Sequence, residues 1–132
     1  MGLVLDASIV ACWILPDEQS TKADHALGLM ECERAFVPSI FEYEIRNILT
    51  VNERRGRLTL EVSTAGLKFL SALPISVDPD LNADEALSLA SKHRLTVYDA
   101  AYLELARRKS LPLATLDAAL IAAANAEGVA LI

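Results

Sequence analysis

Short apolar runs alternate along the whole chain with longer segments of helical periodicity. Gly2 to Leu5 is an apolar run of strand length closed by Asp6, and Ile9 to Leu15 reads as a short buried helix. Pro16 ends that helix, because the residue before a proline avoids helical dihedrals. Ser20 or Thr21 can cap a second helix, carried to about Cys32 by Ala23, Ala26, Leu27 and Met30. Arg34 to Val37 predicts a second strand stopped by Pro38. Ser39 is placed to cap a long helix ending at Arg55, with Gly56 just past its end.

The alternation continues in the second half. Leu60 to Leu73 is amphipathic and closed by Pro74, and Ile75 to Val77 predicts a third strand. Asn82 and Glu85 have the spacing of a capping box and open a helix to about His93. Another helix contains Asp99 and runs to Lys109. Leu111 to Thr115 predicts a fourth strand, Asp117 opens a helix to Glu127, and Val129 to Ile132 predicts a last strand after Gly128. Apolar strands alternating with helices imply an α/β fold, a mostly parallel central sheet of about five short strands flanked by helices. Residues 1–132 are expected to form one domain, since this length holds one hydrophobic core and is short for two.

Composition narrows the class. With 53% apolar residues the chain can bury a core, which excludes disorder. No apolar run reaches the roughly 18 residues of a membrane span, and Asp6 interrupts the first run, against a signal peptide. The expectation is a cytoplasmic protein with no membrane partner. Cys12 and Cys32 form neither a disulfide framework nor a zinc pattern and are expected as small buried thiols. The net charge of −6 is unfavourable for a nucleic-acid binder, because phosphate contacts draw on Lys and Arg. Divalent cations held by an acidic pocket would invert its local potential. The basic residues cluster at Arg54-Arg55-Gly56-Arg57 and Arg107-Arg108-Lys109, which serve equally well as docking patches or as cations at helix C-termini.

Four acidic residues carry the candidate chemistry. Asp6 stands at the end of the first strand and Asp117 follows the fourth, so both face the sheet edge where ligands collect in open parallel sheets. Asp99 lies in the first turn of its helix. Glu44 falls inside the apolar stripe of Ile40, Phe41, Ile45, Ile48 and Leu49, with no Lys or Arg on the same stripe. Each Asp also fits a plain role as a helix cap or first-turn acid. Capping does not account for a mid-helix Glu. Together the four make an oxygen-rich set suited to Mg²⁺ or Mn²⁺, which supports hydrolytic phosphoryl chemistry. His25 and His93 lack a nucleophile motif and are expected at the surface or at helix ends. No glycine-rich phosphate loop and no nucleophile elbow is present. A receiver-like phosphoacceptor module would need a Lys near the end of a late strand, and Leu113 to Leu116 offers none.

The chain resembles the PIN-domain family, and within it the VapC-type toxin ribonucleases of toxin–antitoxin pairs. The likeness rests on Leu3-Val4-Leu5-Asp6-Ala7-Ser8, Pro38 with Tyr43-Glu44-Ile45-Arg46-Asn47, Tyr98-Asp99-Ala100-Ala101-Tyr102-Leu103, Ala114-Thr115-Leu116-Asp117, and Ala123 to Gly128. It implies a PIN-like domain over 1–132 and a metal-dependent endoribonuclease acting as a toxin, with Asp6, Glu44, Asp99 and Asp117 binding Mg²⁺ or Mn²⁺. Ser8 and Thr115 match supporting positions, and Asn47 is either a further support or a solvated helix residue. The resemblance also implies an RNA substrate, with transfer and ribosomal RNA as candidates, a VapB-type antitoxin partner and a homodimer. The alternatives are a catalytically silent PIN-type scaffold and the receiver-like Mg-binding module.

Overall fold

β1 (Gly2–Leu5) is buried at every residue, as an inner strand covered on both faces must be. The computed structural model describes residues 1–132 and arranges them as β1, α1 (Ala7–Ile14), α2 (Thr21–Leu29), β2 (Arg34–Pro38), α3 (Phe41–Arg54) and α4 (Leu60–Ser71). These are followed by β3 (Ile75–Asp78), α5 (Ala83–His93), α6 (Val97–Lys109), β4 (Leu113–Ala114) and α7 (Ala118–Ala126). All strand pairs are parallel, in the order β3-β2-β1-β4. The chain winds outward from β1 through β2 to β3, then returns to place β4 on the other side of β1. Reversal of winding leaves a crevice beyond the carboxyl ends of the two strands that flank it. Leu5 pairs with Ala114, and the Asp6 amide donates to the Ala114 carbonyl at 3.0 Å, so Asp6 and Thr115 leave the sheet side by side.

Helix starts follow side-chain chemistry. Ser20, Thr59, Asn82, Thr96 and Asp117 each accept the amide three residues on, satisfying a donor the helix cannot. The Asn82–Glu85 capping box is half formed, because Glu85 turns to Arg107 and the Asn82 amide reaches Glu104. Ser39 does not cap α3. The helix opens at Phe41 after Ile40, which takes helical dihedrals and has no side-chain acceptor. Gly56 and Gly128 adopt left-handed φ at helix ends; Arg94 and Ser110 do the same without being glycine, which no turn signal in the sequence announced.

The fifth strand expected at Val129–Ile132 is a single parallel bridge between Leu113 and Leu131. Its partner β4 is only Leu113–Ala114, too short for a longer ladder. The Leu111 amide closes the end of α6 on Ala106, Pro112 has no amide to give, and Thr115 turns out of the sheet towards Asp6. α2 stops at Leu29 in tight turns rather than reaching Cys32, and α4 at Ser71 rather than Leu73. The two thiols are not core residues, since Cys12 is only partly buried and Cys32 is exposed.

α6 is the hub. It is buried continuously from Ala100 to Ala106 and packs on α5, α7, β1, β2 and β4. Its basic end is fully engaged, so Arg107-Arg108-Lys109 is a fastening and not a docking patch. Arg108 bridges buried Glu104 (2.6 Å) and Asp78 (3.0 Å), Lys109 reaches Asp78 (3.3 Å), and Arg107 joins Glu85 and Glu127. The Arg108 hydrogen bond holds the Asp78 carboxyl down at about 2, and Lys92 with His93 does the same for Glu127. Glu104 is 2% exposed and Arg108 is its only cationic partner. Arg108→Ala is therefore expected to cost about 2–3 kcal/mol in urea unfolding, by stranding that charge. Arg94→Ala, exposed and without an ion pair, should change stability by less than about 0.5 kcal/mol. Equal effects of the two would remove the fastening role.

Candidate active site

Asp6 occupies the N-cap position of α1, yet its side chain caps nothing. Its Oδ2 instead accepts Ser8 Oγ at 2.7 Å and Thr115 Oγ1 at 2.7 Å. Both hydroxyls are oriented from behind. Ser8 Oγ accepts the Leu116 amide (3.0 Å) and Thr115 Oγ1 the Asp117 amide (3.1 Å), leaving each hydroxyl proton to Asp6. The carboxylate is 5% exposed. Burial pushes its pKa up, the two hydroxyls and a backbone amide pull against that, and the Asp117 charge adds to the rise.

Asp117 reaches the same place from β4, its Oδ2 capping α7 through the Leu120 amide at 2.8 Å. Asp99 is brought in by the first turn of α6, behind the Thr96 cap. Burial raises its carboxyl first, then the charges of Asp6 and Asp117. Glu44 comes from α3, half-buried, and Tyr102 Oη donates to its Oε1 at 2.6 Å. Burial raises it too, Tyr102 opposes, and Asp6 and Asp99 add to the rise. The four carboxylates thus feel one another, with Asp6 at the centre, and no Lys or Arg offsets any of these three shifts. As the side chains stand, no three of them close on one point as metal ligands do.

Tyr102 was not singled out in the sequence. It is 0% exposed, and burial followed by the Glu44 bond drives its phenol well above the ordinary range. Its signal was position, one turn after Asp99 on the buried side of α6, where a hydroxyl demands a partner. It also answers why Glu44 tolerates an apolar stripe without a cation. Asn47 behaves differently: it is exposed, makes no side-chain hydrogen bond, and borders the same depression as Glu44 and Tyr98. His93 lies at the end of α5 on Glu127 (2.8 Å), away from the carboxylates, and His25 is exposed on α2. The Arg54-Arg55-Arg57 cluster divides, Arg57 being held by Asp17, Glu18 and Asn52 while Arg54 and Arg55 have no carboxylate partner.

The PIN domain pattern matches residues 3–131. The chain belongs to the PIN-domain family. This PIN domain is 36% identical over 121 residues to Ribonuclease VapC3 of Pyrobaculum aerophilum, covering 89% of the chain and 90% of that protein. In structure it is similar to PAE2754 of Pyrobaculum aerophilum, with TM-score 0.74 and 26% identity over 93% of this chain and 84% of that one. It also shares its fold with VapC20 of Mycobacterium tuberculosis, a sarcin-ricin loop cleaving toxin, at TM-score 0.61 and 14% identity, covering 92% and 95%. No helix of this PIN domain is long and apolar enough to cross a membrane.

The direction of the shifts sets a pH dependence. Asp6, Glu44 and Asp99 are raised, so the folded chain binds protons more readily than the unfolded chain there. Their cost is complete above the raised values and is relieved as pH falls through them. Asp78 and Glu127 act oppositely, contributing stability above the ordinary 3.8 and 4.5 and losing it as pH falls towards about 2. In chelator, urea midpoints should therefore rise from neutral to mildly acidic pH and fall in stronger acid. Asp99→Asn should raise the midpoint at neutral pH and flatten that limb, whereas Tyr102→Phe should cost about 1–2 kcal/mol by unpairing Glu44. A lower neutral midpoint for Asp99→Asn would contradict the repulsion.

Proposed function

We propose that the chain is a metal-dependent endoribonuclease, the toxin of a toxin–antitoxin pair, with Asp6, Glu44, Asp99 and Asp117 holding Mg²⁺ or Mn²⁺. The observation that carries this reading is the gathering of four carboxylates from four elements, at the strand-reversal crevice, with only neutral donors around them. Kinship with a protein named as a ribonuclease supports the substrate class. The donor set is all oxygen, which fits a hard divalent cation. When bound, the ion supplies Lewis-acid stabilisation of the phosphate charge and lowers the pKa of the attacking water. The chain's own part is positional. Ser8 and Thr115 fix Asp6, the backbone at Leu120 fixes one oxygen of Asp117, and Tyr102 takes one oxygen of Glu44 and leaves Oε2 without a hydrogen bond. Asp99 and Glu44, with Asp6 and Asp117, are the residues that would hold the ion.

The reading includes a VapB-type antitoxin offering a basic residue to the carboxylates and an apolar segment to a groove. The groove between α3 and α4, lined by Phe41, Ile45, Leu67, Leu70 and Leu73, suits such a segment. It also includes a homodimer and a cytoplasmic setting. The competing reading is a PIN scaffold that binds without cutting, and one observation favours it, the lack of three converged carboxylates.

Purified protein incubated with linear and circular RNA in Mg²⁺, in Mn²⁺ and in chelator separates the two. Metal-dependent opening of the circle, reduced about a thousandfold or more in Asp99→Asn, is the expected result. Cutting that persists in Asp99→Asn or in chelator would remove the metal assignment. Digestion of linear RNA alone would make the enzyme end-dependent, and an intact substrate with weak Mn²⁺ binding in calorimetry would favour the scaffold.

A further inference from the structure

The two flanks of the carboxylate crevice differ in kind. Every tyrosine of the chain lies at this site: Tyr43 precedes Glu44, Tyr98 precedes Asp99, and Tyr102 lies beneath. Only Tyr102 is needed by the core. Tyr43 is 74% exposed and Tyr98 60% exposed, and both border one depression together with Glu44. Two large aromatic faces are thus left in water beside the carboxylates, on helices whose packing does not use them.

The flank around Ser8 and Asp117 carries cations. Six of the twelve Lys and Arg side chains are engaged with carboxylates, so few cations are free to meet a phosphate. Two of the free ones stand here. Lys22 Nζ donates to the Thr115 carbonyl at 3.2 Å, and Arg55 borders a depression shared with Ser8 and Asp117. Glu18 in that depression shares Arg57 with Asp17. These two cations without carboxylate partners stand beside Ser8, Thr115 and Asp117, where a phosphate flanking the carboxylates would meet them.

We propose that Tyr43 and Tyr98 are the platform on which bases of the RNA strand stack, and that Lys22 and Arg55 meet its flanking phosphates. The choice of RNA rests on the ribonuclease reading; the requirement for an unpaired strand comes from the tyrosines. A base in a duplex has both faces covered by its neighbours and offers none to an aromatic side chain, whereas a splayed base does. The antitoxin of the reading above would meet the carboxylates through a basic residue and seat its apolar segment in the groove between α3 and α4, which leaves the two tyrosine faces to the bases.

The test is fluorescence polarisation of a short unstructured oligoribonucleotide in Mg²⁺, in the Asp99→Asn background so that the strand stays whole. Tyr43→Ala and Tyr98→Ala should each weaken binding about tenfold, and Tyr→Phe at either position should keep it. A duplex of the same sequence should bind at least about tenfold more weakly. Lys22→Ala and Arg55→Ala should each lower the slope of log Kd against log salt by about 0.7. Unchanged affinity in the doubly substituted Tyr43→Ala, Tyr98→Ala protein, or equal affinity for duplex, overturns the proposal. So does conversion of a dimer to a monomer by that double substitution, which would assign the tyrosines to a second copy of the chain. Strand binding with these signatures by a wild type that cuts nothing would uphold this surface and overturn the nuclease.

Discussion

A buried carboxylate at the point where strand winding reverses is the constraint on which the rest of the structure depends. Asp6 is nearly inaccessible, and an ionised carboxylate there costs several kcal/mol unless donors surround it. Two hydroxyls supply that, and each is aimed by a backbone amide from the segment after β4. The demand propagates into the fold. β4 ends at Ala114, where Asp6 leaves β1 and Thr115 turns its hydroxyl to it, and the C-terminal segment finds only Leu113 to bridge. The sheet is narrower than its apolar pattern suggests because its edge serves the site.

Charge is divided along α6. Its N-terminal turn carries Asp99 into a region of like charge, while its C-terminal turn carries Arg107, Arg108 and Lys109 to carboxylates on β3, α5, α7 and α6 itself. Both placements agree with the helix dipole, acid at the positive end and base at the negative end. The consequence is larger than the dipole effect. The carboxylates packed around the C-terminal end of α6 are matched by its cations, and those at the crevice have no ion pair.

Local chemistry was largely legible in the sequence. Ser20, Asn82 and Asp117 cap helices as their spacing requires, and Gly56 and Gly128 stop them. Asp6 and Asp117 could be sent to one edge because both follow apolar runs that must be parallel strands. What failed was decided by tertiary contact. Ser39 lies where a cap belongs, yet Ile40 enters the helix first. Cys32 continues an apolar period that turns have already broken. The partner of Glu44 is 58 residues away, and no helical stripe on α3 names it.

Tyr102 and Glu104 sit two residues apart on one helix and show how a site differs from a fastening. Glu104 is buried and matched by a guanidinium, so its charge is spent inside the protein. Glu44 is matched by a phenol, which gives a hydrogen bond and no charge. Asp6 is matched by two hydroxyls in the same way. A neutral donor fixes the oxygen it touches, and the carboxylate keeps its full attraction for a cation brought from outside. Arginine in place of Tyr102 would settle the repulsion permanently and leave nothing for a metal to relieve. The choice of neutral partners leaves the crevice electrostatically unsatisfied, and the proposed metal binding rests on that property.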